Sequence, residues 1–219
     1  MSRSGLRRHT VVLAVLCLGT GYAAGLACAQ QAAAPTGADP HAAHRQMMAA
    51  AADSAVRRTT VSYDVPHLSM VRADGERVFL DSELNDGRPV VLNFIFTTCT
   101  TICPMTSQVF SMLQHKLGAD SSRVHMVSIS IDPEQDTPAR LRAYAARFGA
   151  GVSWQHYTGT VQASAEAQRA FGVYQGDKAN HQPVTLLRAA GSDQWIRLDG
   201  FATADDMLGE LHSQVASAR

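Results

Sequence analysis

The sequence lacks an excess of charge of either sign, internal repeats and a large complement of cysteine. Its 19 basic residues balance 19 acidic ones, so there is no electrostatic basis for binding nucleic acid or another polyanion. Two of the four cysteines, Cys17 and Cys28, lie in the N-terminal stretch, which leaves Cys99 and Cys103 for the folded part. No thiol remains for structural bridging elsewhere. In an oxidising compartment, such a close pair either cycles as a disulfide or is held reduced for a metal.

Residues 1–29 have the pattern of an export signal or membrane anchor. Basic residues precede a strongly apolar stretch at 11–18, and residues 27–29 (Ala-Cys-Ala) fit a cleavage site. If uncleaved, residues 10–29 are barely long enough to anchor the chain in a membrane. Lipidation of Cys28 is a third, less favoured alternative. We therefore expect a periplasmic protein, either soluble or tethered to the inner membrane.

Residues 30–58 are rich in Ala, Gln and Pro and have few large apolar groups. Such a composition cannot offset the entropy lost on ordering, which predicts a flexible linker. Imidazole and thioether groups within it are a plausible set of copper ligands. Because short His-containing tracts are weak signals, a plain polar linker is the alternative. The groups concerned are His41, His44, Met47 and Met48.

A run of β-branched and aromatic residues at 90–96 predicts a buried strand, which leads into a Thr-rich loop with Cys99 and Cys103. Pro104 is expected to be the first residue of a helix that ends at Gly118. The helix N-terminus favours thiolates over thiols. Redox or metal chemistry is therefore favoured over a structural disulfide, since so short a loop constrains the unfolded chain little. The expected buried face of the helix consists of Met105, Val109, Met112, Leu113 and Leu117.

The domain is predicted to span residues 59–219 and to have an α/β fold. An Asp-Gly turn at residues 74–75 indicates an N-terminal β-hairpin, and a second buried strand after the cysteine helix would run parallel to the first. The order βαβ followed by ββα predicts a thioredoxin-like fold in its larger, peroxiredoxin-like elaboration, with a central mixed sheet flanked by helices. The other expected elements are strands at 68–71, 77–80, 124–131, 184–188 and 195–198, and helices at 138–148, 161–171 and 203–215.

His181 differs from the other histidines by its position just before the strand at 184–188. In a thioredoxin-like sheet this loop lies against the N-terminus of the cysteine helix. An imidazole with two thiolates suits a cuprous ion, whereas zinc normally demands a fourth ligand. A solvent-facing loop histidine is the alternative. The remaining histidines are expected in the leader (His9), at surface positions (His115, His156, His212) or as ordinary strand residues (His67, His125).

Three blocks of the sequence resemble the SCO/SenC family, thioredoxin-like copper chaperones for cytochrome c oxidase assembly. Residues 99–104 resemble the family's C-x-x-x-C-P loop, residues 130–138 its D-P-E-R-D-T-P segment, and His181 its copper-binding histidine. The resemblance covers residues 61–215, approximately. It departs from the family pattern between the cysteines, where Thr100-Thr101 replaces a frequent Pro-Asp, and at Asn180, which replaces an aspartate.

The resemblance implies that Cys99, Cys103 and His181 bind one copper and pass it to the dinuclear copper centre of the oxidase. The implied partner is the copper-bearing oxidase subunit or another periplasmic copper chaperone. Whether the chain is an enzyme stays open, because a thiol-disulfide oxidoreductase, with Cys99 attacking and Cys103 resolving, would use the same thiols. A copper or redox sensor is a third reading. Thr98 stands where thioredoxins usually have Trp, and the peroxiredoxin signature P-x-x-x-T-x-x-C is absent.

Overall fold

The structure, a computed structural model, describes residues 56–217. The predicted leader and most of the predicted linker, including His41, His44, Met47 and Met48, lie outside the described residues. Within residues 56–217, no helix is both long enough and apolar enough to span a bilayer.

Eight strands and five α-helices make up the described chain. The strands are β1 (Arg57–Ser62), β2 (Ser69–Arg72), β3 (Arg77–Phe79), β4 (Val90–Ile95), β5 (His125–Ser130), β6 (Trp154–Thr158), β7 (Val184–Arg188) and β8 (Gln194–Asp199). The helices are α1 (Leu80–Leu84), α2 (Ile102–Leu117), α3 (Pro138–Arg147), α4 (Val161–Ala170) and α5 (Ala204–Ser217). Two short 3-10 helices span Gly118–Arg123 and Lys178–Asn180.

The strands form one mixed sheet in the order β1-β8-β7-β4-β5-β6-β2-β3. Strands β4, β5 and β6 are parallel, and the other pairs are antiparallel. Every residue of β4 is buried, because alternate side chains pack under helices on both faces of the sheet. Val90, Leu92 and Phe94 face the core beneath α1 and α4, and Val91 faces the core beneath α2 and α5.

The predicted mixed sheet, its flanking helices and the hairpin of β2 and β3 are confirmed. Two strands were missed. β1 pairs with β8 at one edge, so the linker predicted for residues 30–58 extends too far and strand structure begins at Arg57. β6 lies between β5 and β2 in the sheet. Along the chain it adds a strand between the predicted βαβ and ββα units.

Helix α2 begins at Ile102, so the prediction that it begins at Pro104 is wrong by two residues. Pro104 still occupies the first turn, where a missing N–H disrupts no helical hydrogen bond. Gly118 ends the helix with φ of +53°, a conformation that glycine adopts without strain.

The buried face of α2 also differs from the predicted one. It follows Cys103, Ser107, Phe110 and Leu113, and Met112 is 47% exposed. Compared with the predicted orientation, the helix is rotated about its own axis, so that Phe110 rather than Met112 packs against the sheet. This rotation turns Cys103 inward, where it is only 1% exposed.

The segments that carry the predicted site residues meet at the carboxyl end of β4. Ile95 pairs with Ser130 at the end of parallel β5, and the antiparallel partner β7 starts beside it, with Asn93 opposite Thr185. Three strands further along, the register also brings Arg57, the first residue of β1, to this end of the sheet. The cysteine loop, the 131–137 loop and His181 are thus neighbours.

Candidate metal and thiol site

The cysteine loop is held by hydrogen bonds that converge on Cys99. Its backbone N–H donates to the Phe96 carbonyl at 3.2 Å, and its Sγ accepts from the backbone N–H of Cys103 at 3.4 Å. The hydroxyl of Thr101 lies 3.7 Å from the same sulfur. Both cysteines are free thiols, with Cys99 partly exposed and Cys103 buried. The prediction that Cys99 is the more accessible thiol is confirmed.

These contacts give the two thiols opposite acidities. The hydrogen bond from the Cys103 thiol lowers the pKa of Cys99 to about 5, and the backbone N–H groups of Cys103 and Thr101 act in the same direction against the effect of burial. The same thiol-thiol contact and burial raise the pKa of Cys103. At neutral pH, Cys99 is therefore a thiolate and Cys103 a thiol that donates to it.

His181 is buried, with 8% of its surface exposed, so the solvent-facing alternative is wrong. Its Nε2 lies 2.9 Å from the carbonyl oxygen of Phe94. Because a carbonyl only accepts, Nε2 carries the proton and Nδ1 keeps an unshared electron pair. Burial lowers the pKa of His181 below its usual value, which keeps the ring neutral. A backbone carbonyl on one ring nitrogen is a common way to orient a ligating histidine.

Cys99 and His181 line a common cleft of about 360 Å³, together with Phe96, Thr101 and Lys178. The ring of Phe96 meets that of His181 edge-on, with centroids 6.4 Å apart. Nevertheless, within residues 56–217 no three side chains of His, Cys, Asp or Glu are placed to hold a metal together. The structure thus brings Cys99 and His181 to one cleft, with Cys103 buried beside Cys99. A three-ligand site requires a further movement of the His181 loop or the cysteine loop.

Sequence reasoning assigned no role to the two aspartates of the 130–138 block. Asp136 is fully buried and accepts hydrogen bonds from the Thr97 N–H, the Thr97 hydroxyl and the Ser130 hydroxyl at 3.1, 2.5 and 2.6 Å. Asp132 forms an ion pair with Lys178 at 2.5 Å. One aspartate therefore fixes the start of the cysteine loop and the other the loop of His181. Their position after a strand parallel to β4 is the sequence signal that indicates such roles.

Two further histidines, His125 and His156, are also buried in the sheet. The prediction that His156 lies at the surface is wrong, because it is 1% exposed on β6 and its Nε2 has no hydrogen-bond partner among the described residues. His125 is a buried residue of β5, as predicted, and contacts the hydroxyl of Tyr157 at 3.2 Å. Neither joins the cysteines.

A model of the SCO1/SenC family matches residues 59–190. The chain belongs to this family. Its curated relatives include the SCO1 protein homolog of Bacillus subtilis, 36% identical over 107 residues that cover 48% of this chain and 54% of the relative. A putative copper-binding protein of Stutzerimonas stutzeri is 30% identical over 110 residues, 50% of this chain and 52% of the relative. The chain thus spans about half the length of the curated relatives that it matches.

Solved structures of Sco proteins confirm the thioredoxin-like fold. BsSco, a member of the Sco family of cytochrome c oxidase assembly proteins in which a disulfide switch was identified, is 30% identical, with a TM-score of 0.59 over 71% of this chain and 95% of that one. Arabidopsis thaliana ScoI with copper bound is 24% identical, with a TM-score of 0.57 over 68% and 96%. Bradyrhizobium japonicum ScoI with copper bound is 22% identical, with a TM-score of 0.55 over 67% and 96%.

Proposed function

We propose that this SCO1/SenC protein binds one cuprous ion through Cys99, Cys103 and His181 and delivers it to the dinuclear copper centre of cytochrome c oxidase. The observation that carries the proposal is the cleft in which a thiolate with a pKa of about 5 lies beside a neutral imidazole with a free Nδ1. Copper bound to solved Sco structures and the assembly role attributed to BsSco support it.

The donor atoms of the site fit a soft, low-coordinate cation. Two sulfurs and one imidazole nitrogen are ligands that cuprous ion prefers, whereas zinc would need a fourth. The nearby carboxylates do not supply it, because Asp132 is paired with Lys178 and Asp136 is occupied by Thr97 and Ser130. The copper is cargo in this proposal, and the protein's own groups hold and release it.

Delivery proceeds by ligand exchange, and the copper keeps its oxidation state. Cys99 is the accessible ligand, so an incoming thiolate of the acceptor replaces it before it replaces the buried Cys103. Each acceptor thiol that becomes a ligand loses a proton. The donor sulfurs regain protons according to their own pKa values, so that Cys103 is reprotonated at neutral pH and Cys99 stays a thiolate.

The test is the cuprous affinity of the reduced protein, measured by competition with a coloured chelator. Replacement of His181 by Ala is expected to weaken binding by at least about tenfold, since one of three ligands is lost. The control is His115→Ala, which removes an exposed histidine of α2. Equal affinities for His181→Ala and the control would contradict the three-ligand site.

The opposite acidities of Cys99 and Cys103 also favour a second candidate, a thiol-disulfide oxidoreductase. The Cys99 thiolate would attack a disulfide of the copper-site protein, and Cys103 would then attack Cys99, so that the partner leaves as a dithiol and this chain keeps the disulfide. Deletion in the native host separates the candidates. Oxidase activity restored by added copper supports delivery, and activity restored only by a thiol reductant supports reduction.

We further propose that the protein acts in the periplasm, where it is soluble or tethered by its N-terminal segment. The basic, then apolar, pattern of residues 1–29 supports export. Its partner is the copper-bearing subunit of the oxidase or another periplasmic copper chaperone. A copper sensor would share the site, and it would differ by keeping its copper when the acceptor domain is added.

A further inference from the structure

A second cleft, of about 540 Å³, lies on the far side of the segment that carries His181. Helix α4 forms one wall, and the loop after β5 forms another. We call this cleft the α4 groove. Its lining includes Pro133, Glu134, Val161, Tyr174, Asp177 and His181.

The α4 groove exposes apolar surface. Val161 is 58% exposed and Tyr174 is 42% exposed, and these are two of the five large hydrophobic side chains that are exposed in the described part of the chain. The guanidinium of Arg169 lies over the Tyr174 ring, 4.3 Å from its centroid. Exposed apolar groups gathered in a concave surface beside a functional site are typical of a protein-binding surface.

The lining of the α4 groove carries a net negative charge. Asp132 and Lys178 neutralise each other in their ion pair. The other two carboxylates of the lining, Glu134 and Asp177, have no ion-pair partner among the described residues, and Asp177 only accepts the backbone N–H of Ala179. A partner segment that carries a lysine or arginine is therefore favoured over an acidic one.

The segment Asp177–His181 separates the α4 groove from the thiol cleft, and Asp177, Lys178 and His181 line both. Lys178 pairs with Asp132 and lies 5.7 Å from the centre of the Phe96 ring, which lines the thiol cleft. Anything bound in the α4 groove therefore touches the segment that positions the predicted copper ligand. Cys99 and His181 line the same cleft, so a shift of this segment changes the separation of these two predicted ligands.

We propose that the α4 groove docks an extended segment of the copper-accepting protein, with an apolar side chain against Val161 and Tyr174 and a basic one against Glu134. Docking shifts the segment Asp177–His181 and loosens His181 from the copper while the acceptor's thiols approach Cys99. The inference rests on the proposed function, because it names the surface by which the acceptor of that copper is recognised.

The experiment uses the full chain loaded with cuprous ion and the purified copper-bearing domain of a cytochrome c oxidase subunit. The double variant Glu134→Lys/Val161→Ser replaces one of the two unpaired carboxylates of the groove with a cation and removes one of its two exposed apolar contacts. The control is Asp193→Lys/Val152→Ser, at exposed positions away from both clefts, where Val152 is 88% exposed. We measure the cuprous affinity of each protein and the rate of copper transfer to the acceptor domain.

The groove variant is expected to transfer copper about tenfold more slowly than wild type, with unchanged copper affinity, and the control to transfer it at the wild-type rate. Equal rates for wild type and both variants would overturn the docking surface and leave the proposed function intact. Wild type that binds copper and does not transfer it would overturn the proposed function itself. If sedimentation shows a wild-type dimer that only the groove variant loses, with transfer unchanged, the groove is a self-association surface and the proposal fails.

Discussion

The carboxylate of Asp136 holds Thr97 by both its backbone N–H and its hydroxyl, at 3.1 and 2.5 Å. Thr97 is the second residue after β4, so this contact sets the direction in which the chain leaves the sheet towards Cys99. The donors of Thr97 and Ser130 each offset part of the free-energy cost of burying the charge of this carboxylate.

Replacement of Asp136 by Ala is expected to destabilise the domain by about 3 kcal/mol, because it leaves the buried donors of Thr97 and Ser130 without an acceptor. The measurement is the free energy of unfolding in urea. Asp136→Asn should fall between Ala and wild type, since its amide oxygen still accepts. Asp193→Ala, at an exposed turn, is the control. A loss below about 1 kcal/mol for Asp136→Ala would argue against this role.

The alkylation rate of Cys99 in the reduced, metal-free protein should follow a titration near pH 5. A lowered pKa means that the reactive thiolate is present above pH 5 and is lost as the pH falls through that value. Cys103 should react far more slowly at neutral pH. In Cys103→Ala the hydrogen bond from the neighbouring thiol is gone, so the midpoint for Cys99 should rise towards the ordinary value of about 8.5. Iodoacetamide labelling followed by mass spectrometry measures both rates.

An unchanged midpoint in Cys103→Ala would show that the backbone N–H groups of the loop, rather than the second thiol, control the acidity of Cys99. Cys28→Ala in the same chain is the control for labelling of a cysteine outside the described residues.

His156 should make the domain sensitive to mild acid. Burial lowers its pKa to about 4 in the folded chain, against an unfolded value of 6.5. Between these values the unfolded chain binds more protons, so this contribution to stability is complete above pH 6.5 and is lost as the pH falls towards 4. The difference corresponds to about 3 kcal/mol. In His156→Phe, this part of the pH dependence should disappear from urea unfolding curves recorded between pH 7 and 4.

Replacement of His212, an exposed histidine of α5, by Phe is the matched control and should keep the wild-type pH dependence. A curve for His156→Phe as steep as that of wild type would place the acid sensitivity at other groups, with His125 the next candidate because burial also lowers its pKa.

The segment with His41, His44, Met47 and Met48 is expected to speed copper capture more than it changes affinity, since a linked ligand set acts at a high local concentration. Loading rates of the chain without its leader and of a chain that starts at Val56 should differ at neutral pH. Part of the difference should persist near pH 5, because thioethers need no deprotonation and histidines do. Identical rates at both pH values would reduce the segment to a spacer.

The strand at 90–96, the thiol loop and the helix after it were predictable because they rely on local signals, a β-branched run and a proline in the first turn. β6 was not, since its sequence Trp-Gln-His-Tyr-Thr shows no alternation of apolar and polar residues, and it buries His156, which local reasoning assigns to the surface. The roles of Asp132 and Asp136 depend on contacts with Lys178 and Thr97, far away in the sequence. The positions of Cys99, Cys103 and His181 relative to one another also depend on the folded loops, so the sequence pattern could not reveal that these three side chains are not placed to hold a metal together in this structure.

The register of β1 has a consequence for how the domain is presented. Arg57 lies opposite Asp199, and Asp199 opposite Val184, at the end of the sheet that carries Cys99. Three strand spacings, about 14 Å in all, separate the entry of the chain from the end of β4. The chain therefore enters the domain at the same end of the sheet as Cys99, so a short tether attached before Val56 would keep the thiol end of the domain close to its attachment point.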